Sequence, residues 1–191
     1  MVSVVITPSE LVALQAADVR QQCRIDDTAE DQYIDQVLIP AVCALFEERT
    51  QCKLFNAICE DRLPAWPRTG RIDLGFGVVR SVQSITYLDA DGVSQVLDAS
   101  AYQALPDAVP GEVHLAPGQS APTMLAHPAA LRVRYVAGVA VAPASLPRDV
   151  RLWLLLHVAH FWTNREAGQS AKLEPLLHAD GLISAYLRNP I

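Results

Sequence analysis

Basic residues are in short supply: 15 Lys and Arg stand against 21 Asp and Glu, giving a net charge of −6 and a pI near 5.3. Tight duplex binding needs a cationic surplus to displace counterions from phosphate, so an avid DNA binder is excluded. A surface that DNA passes without sticking remains open. Although 51% of the residues are hydrophobic and only 19% charged, which excludes a disordered chain, no apolar run is long enough to cross a bilayer. The opening "MVSVVITPSE" has no basic n-region and too short an apolar run for a signal peptide, so the expected site of synthesis is cytosolic. The four cysteines, Cys23, Cys43, Cys52 and Cys59, form no CxxC pair and no Cys/His array at zinc spacing. In a reducing cytosol they read as small core residues, with a disulfide or metal site as the alternative. Catalytic signatures are missing too. "GFG" at 75–77 is too short for a phosphate-cradling loop, and no Ser lies in a Gly-x-Ser-x-Gly elbow. There is no internal repeat and no low-complexity tract.

What is present divides into three textures. "TPSE" (Thr7 to Glu10) has the form of a capping box with Pro8 at the first helical position, so the N-terminal part is predicted to be helical. After Asp26 and Asp27, a second box, "DTAE", precedes Tyr33, Ile34, Val37, Leu38, Ala41, Val42, Leu45 and Phe46 at three- and four-residue steps. This predicts an amphipathic helix ending near Thr50, with Pro40 kinking or locally opening it. The acids Asp26, Asp27, Glu30, Asp31 and Asp35 lack the central Gly of a calcium loop and read as charges favouring a helix N-terminus.

From about Lys53 the pattern becomes strand-like. "RIDL" directs Ile72 and Leu74 one way, and "SITYLDADGVSQVL" reads as two strands joined by a turn at 89–92, with Gly92 able to take positive φ. "GEVHL" alternates, and "LRVRYVA" alternates most cleanly, with Leu131, Val133, Tyr135 and Ala137 inward and Arg132 and Arg134 outward. Prolines between these runs cut the chain into short strands. After "APASLP", Ser145 and Pro147 signal a helix through "RDVRLWLLLHVAHFWTNREA", and a last helical segment follows, with Pro175 in its first turn and Gly181 as a break.

The late helix carries the one pair of residues that suggests a metal. His157 and His160, three apart, can share a helix face, but a zinc site needs a third ligand and an orienting partner. The spacing is HxxH, without the acid of HExxH, and His114, His127 and His178 are scattered. The same helix is apolar around most of its circumference, where a surface helix of a monomer would show a polar face. It therefore has to be covered on several sides, part of the cover coming from another subunit. The histidines read as packed or interface residues.

Several stretches together resemble one family. "RVRYVAGVAVAPASLPRDVRLWLLLHVAHFWTNREA" is similar to the C-terminal signature of head–tail connector (adaptor) proteins of long-tailed bacteriophages and prophages. There, a Tyr-x-Ala-Gly turn leads through Pro to an apolar helix ending in an aromatic-x-Asn-Arg-Glu motif, matched by Trp162, Asn164, Arg165 and Glu166. "SVQSITYLDADGVSQVLDASAYQAL" resembles the family's strand–turn–strand and its following lone Tyr, here Tyr102. "CRIDDTAEDQYIDQVLIPAVCALFEERTQCKL" resembles its acidic cap and long helix, and "LLHADGLISAYLRN" its closing segment. Gln51 stands where the family usually has Gly, Pro40 interrupts the helix, and Leu187 separates Tyr186 from Arg188.

The resemblance implies an α+β chain in which N- and C-terminal helices pack as a helical body carrying an inserted antiparallel β module. The expected division is 1–52, 53–143 and 144–191, forming one composite domain. It implies a structural, non-enzymatic part that needs no cofactor or metal. Such parts form a ring of about twelve subunits beneath the portal in the virion neck, assembled in the bacterial host cytoplasm. The ring would extend the DNA channel without specific binding and without membrane contact, and would dock a stopper or tail-completion protein. Candidate subunit-contact residues are Trp153, Leu156, His157, His160 and Trp162. Candidate docking residues are Asp89, Asp91, Gly92, Tyr186 and Arg188. Two alternatives remain: a small-molecule site on the β module, or a His-dependent metal hydrolase.

Overall fold

The computed structural model describes residues 1–106, 108, 110–164 and 177–187. The chain begins with a strand rather than a helix: β1 (Val2–Thr7) is a β-branched run that pairs antiparallel with β2 (Ala57–Leu63). The capping-box pattern at 7–10 does not open a helix. Residues 8–13 form a strap outside regular secondary structure, and the first helix, α1 (Ala16–Cys23), starts only after Gln15, whose backbone N–H donates to Asp18 Oδ2 at 3.0 Å. The β-branched content of "VSVVIT", paired along the open edge of the sheet, outweighs the local cap signal.

The second cap behaves similarly. Asp27 Oδ1 accepts from Ala29 N–H at 2.9 Å and closes a turn, and helix α2 (Asp31–Tyr33) begins four residues later. It runs through one π-helical stretch, Ile34–Leu38, into α3 (Ile39–Thr50), with Pro40 in the first turn of α3. Proline has no N–H to donate and crowds the preceding turn, so the widened π turn is the opening expected there. Gln51 ends the helix in the left-handed region (φ 55°), its Nε2 donating to Glu48 O at 2.8 Å.

The strands after β2 are β3 (Arg71–Asp73), β4 (Val79–Leu88), β5 (Ser94–Val96), β6 (Tyr102–Leu105), β7 (Glu112–Leu115) and β8 (Leu131–Ala137). They form a five-stranded antiparallel sheet in the order β1-β2-β8-β4-β5 and a three-stranded one in the order β3-β7-β6. On β8, Leu131, Val133, Tyr135 and Ala137 are buried and Arg132 and Arg134 exposed. Ile72, Leu74 and Val113 face the same core. Within it the Tyr135 hydroxyl donates to buried Asp61 Oδ1 (3.1 Å) and accepts from Phe76 N–H (3.1 Å), while Gly75 N–H donates to Asp61 Oδ2 (2.7 Å). This pins the segment after β3 onto the sheet.

Helix α4 (Arg148–Thr163) starts directly after Pro147. Ser145 does not cap it; its hydroxyl bridges Ala142 N and O and closes a 3₁₀ turn, Pro143–Ser145. Asn164 ends α4 by donating its side-chain amide to His160 O at 2.8 Å. The closing segment is α5 (Leu177–Asp180), which changes at Gly181 into a 3₁₀ helix, Gly181–Tyr186. Pro175 and the Arg165 and Glu166 of the terminal motif lie outside the described residues. The chain is α+β, with two apolar cores: Val42, Phe46, Trp153, Leu154 and Val158 centre the helical one, and Cys59, Ile85, Val133 and Tyr135 the sheet core. They meet where Val139 and Ala140 donate to Lys53 O (2.8 Å) and Leu54 O (2.9 Å).

Candidate assembly surface

Helix α4 divides into an inner and an outer face. Val150, Trp153, Leu154, His157 and Val158 are buried against α3 and the closing segment. Trp153 is 0% exposed, meets Phe46 edge-on at 5.7 Å, and donates its indole N–H to Asp180 Oδ1 at 3.3 Å. Asp180 also pairs with Arg49, so one carboxylate ties α3, α4 and α5 together. His157 stacks on Trp153 at 3.7 Å, and its Nδ1 carries the proton, because its partner at 2.9 Å is the Trp153 carbonyl oxygen. Burial, opposed in part by that hydrogen bond, pushes the His157 pKa below the usual imidazole value. Trp153 and His157 are thus core residues of their own subunit and offer no surface to another. In a helix apolar nearly all round, periodicity gave no means of telling the inner face from the outer.

The outer face carries Leu152, Leu155, Leu156, Ala159 and Trp162, with Arg148 exposed at its N-terminal end and His160 at its edge. Leu152 is 42% exposed; Leu155, Leu156 and Trp162 are half-buried, packed in part against the helical core, and Ala159 keeps part of its surface. Phe161, beyond the end of the inner face, is 38% exposed. An apolar stripe this long on a monomer marks a contact surface. Leu152, Leu155 and Ala159 escaped the sequence reading, because apolar residues on nearly every side of the helix left no periodic signal to single them out. Among the described residues no group of three or more His, Cys, Asp or Glu side chains is arranged to hold a metal ion. His160 meets only the Phe161 ring edge-on, at 5.9 Å, among the ring contacts of the pair's outer member.

The candidate docking residues lie apart from this stripe. Asp89 folds its carboxylate inward, accepting from Asp91 N (3.1 Å), Val93 N (2.9 Å) and Gln95 Nε2 (2.9 Å). The Gln95 bond and these backbone bonds hold its pKa below the ordinary aspartate value. Gly92 adopts φ +80°, the conformation expected of it. The result is a stiff, exposed hairpin tip presenting Asp91. Tyr186 is half-buried, edge-on to Phe46 at 6.2 Å, with its carbonyl accepting from Cys52 Sγ at 3.8 Å. Its ring anchors the chain end to the body. Arg188 lies outside the described residues.

Two concavities bear on the alternatives. A cleft of 370 Å³ runs between the N-terminal strap and α3, walled by Pro8, Leu11, Val12, Ile39, Pro40 and Cys43. A shallow depression of 800 Å³ at the end of the sheet is lined by Pro64, Trp66, Pro122, Met124, Leu125 and His127 among others. The His127 Nδ1 there accepts from Ala129 N–H (3.1 Å), the buried Trp66 indole N–H has no hydrogen-bond partner among the described residues, and the other walls are apolar. Cys52 and Cys59 are buried and Cys23 and Cys43 half-buried, all four as thiols; burial raises the pKa of Cys43 and Cys59 to about 12, which makes them poor nucleophiles.

No family model and no curated protein matches the chain. Solved structures do. The chain superposes on a chain from the virion of a native gene transfer agent (GTA) particle with TM-score 0.80 and 24% identity, over 100% of its own length and 97% of the other. The same coverage holds for the neck of an empty GTA particle computed with C6 symmetry (TM-score 0.78, 24% identity) and for the neck of a native GTA particle computed with C12 symmetry (0.75, 21%). These chains share its fold from end to end.

Proposed function

We propose that this chain is a structural head–tail connector of a tailed phage, a prophage or a related particle. Copies form a closed ring of about twelve beneath the portal, extend the DNA channel, and give the stopper or tail-completion protein a docking surface. The observation that supports this reading is the end-to-end likeness to chains from a GTA virion and from GTA necks, at TM-scores of 0.75 to 0.80. The outer stripe of α4 supports it independently, since a ring repeats one contact without leaving an apolar end exposed. The acidic balance suits a channel through which DNA must slide, because phosphate-binding cations would retard it. In this reading the part has no catalytic residues and no cofactor, assembles in the host cytoplasm and ends in the virion neck. The exposed 89–92 tip is the candidate contact for a partner along the particle axis.

Sedimentation velocity tests the self-association. Wild type should form species larger than a monomer as concentration rises, and Leu152→Glu should remain monomeric with an unchanged helical circular-dichroism signal. If the variant assembles as the wild type does, the α4 stripe is not the contact.

A further inference from the structure

Resting on the reading of the chain as a ring-forming part, we infer that the ring contact is heterologous: the outer stripe of α4 of one copy seats in the cleft between strap and α3 of the next. A closed ring of more than two copies needs two unlike surfaces on each subunit, turned to different sides, whereas an isologous pair needs only one. Both surfaces are present. On α3, Val42, Phe46 and Thr50 belong to the buried side packed with α4, while Pro40, Cys43, Ala44 and Glu47 line the cleft. The cleft therefore opens away from the α3–α4 contact, and the stripe lies on the opposite side of α4 from that same contact.

The cleft walls are mostly apolar, with the Lys53–Glu47 ion pair (2.7 Å) and Asp35 among the lining, and aliphatic side chains surround its mouth. Val12 is 58% exposed, and Leu11 beside it and Val37 on the π turn are exposed too. Such a cluster of exposed aliphatic side chains marks a contact surface. Charges favour the match: Lys53 in the cleft is paired with Glu47, which leaves exposed Glu10 on the strap and exposed Asp35 in the lining, its carboxylate also accepting from Ala16 N–H at 2.7 Å, to face exposed Arg148 at the start of the stripe. Leu152, 42% exposed, is the side chain positioned to enter, and the cleft's 370 Å³ accommodates it; Leu156, one helical turn on, is packed in part against its own core and borders the contact. Attraction between a cationic stripe end and an acidic mouth also fixes the direction in which copies add, head to tail.

Two single variants, each altering an exposed residue, separate the possibilities. Val12→Glu spoils the cleft and leaves the stripe; Leu152→Glu spoils the stripe and leaves the cleft. Each alone should sediment as a monomer at concentrations where wild type assembles. Mixed in equal amounts, they should form a heterodimer and nothing larger, because only one intact stripe and one intact cleft remain to meet. Val12→Glu assembling like wild type would overturn the cleft assignment while leaving the α4 stripe in the contact. A mixture that stays monomeric would overturn the head-to-tail pairing. Wild type that is monomeric at roughly 0.5 mM would remove both this inference and the ring reading beneath it.

Discussion

Replacing Gly138 with alanine perturbs the point where the two cores join. A methyl group there would sit 2.5 Å from the Asn56 nitrogen and 2.6 Å from the Phe55 carbonyl carbon, about an ångström inside an optimal contact of ~3.5 Å. Both neighbours are backbone, so neither can rotate away. The strand end must lift, and in doing so it strains the bonds from Val139 to Lys53 O (2.8 Å) and from Ala140 to Leu54 O (2.9 Å). It also displaces the Gly138 carbonyl from Arg80 Nε, which donates to it at 2.8 Å. Losing two backbone hydrogen bonds costs about 1 kcal/mol each, and residual overpacking about 1 kcal/mol more, for a total near 3 kcal/mol. With a urea slope of about 2 kcal/mol per molar, the unfolding midpoint should fall by about 1.5 M. Equilibrium unfolding followed by circular dichroism measures this. A variant within about 0.5 kcal/mol of wild type would refute the claim that close backbone approach at Gly138 joins the β module to the body.

Three further outcomes follow from particular contacts. Gln51→Gly relieves a left-handed non-glycine residue at the end of α3 and should raise stability by about 0.5–1 kcal/mol, read as a higher thermal midpoint; a lower midpoint would mean the Gln51 bond to Glu48 matters more than the strain. Tyr135→Phe removes a donor from buried Asp61 and an acceptor from Phe76 N–H, and should destabilise by about 2–3 kcal/mol in urea unfolding, where a neutral result would contradict the network. His157 is held neutral by burial, so its folded pKa lies below the 6.5 of the free side chain: the unfolded chain takes up the proton first as pH falls, and stability present above pH 6.5 is lost on descending through the folded pKa. His157→Gln should flatten the stability profile as pH falls below 6.5, and an unchanged slope there would exclude this histidine as its source.

The sheet was largely legible before the coordinates, because half-buried antiparallel strands write their burial as alternation. The "LRVRYVA" run and the Asp-Gly turn are as read, and the π opening at Pro40 follows from the missing N–H and the crowding of the preceding turn. The N-terminal strand was hidden because a capping pattern follows it directly, and its partner, β2, lies more than fifty residues away in sequence, where no local signal reaches. The two faces of α4 were unreadable for a different reason. Apolar residues surround it, so the division between Trp153 and His157 inside and Leu152 and Leu156 outside is decided by Phe46, Asp180 and Ile183 packing on one flank. The Asn of the terminal motif became intelligible only with the helix end in view, where its amide caps His160 O.

Electron microscopy of the protein mixed with its cognate portal addresses the central claim most directly. The account predicts a ring of copies coaxial with the portal, with the Leu152–Leu156 side of each α4 buried at a subunit boundary. A portal left bare, or bound copies whose α4 stripes face open solvent, would contradict it.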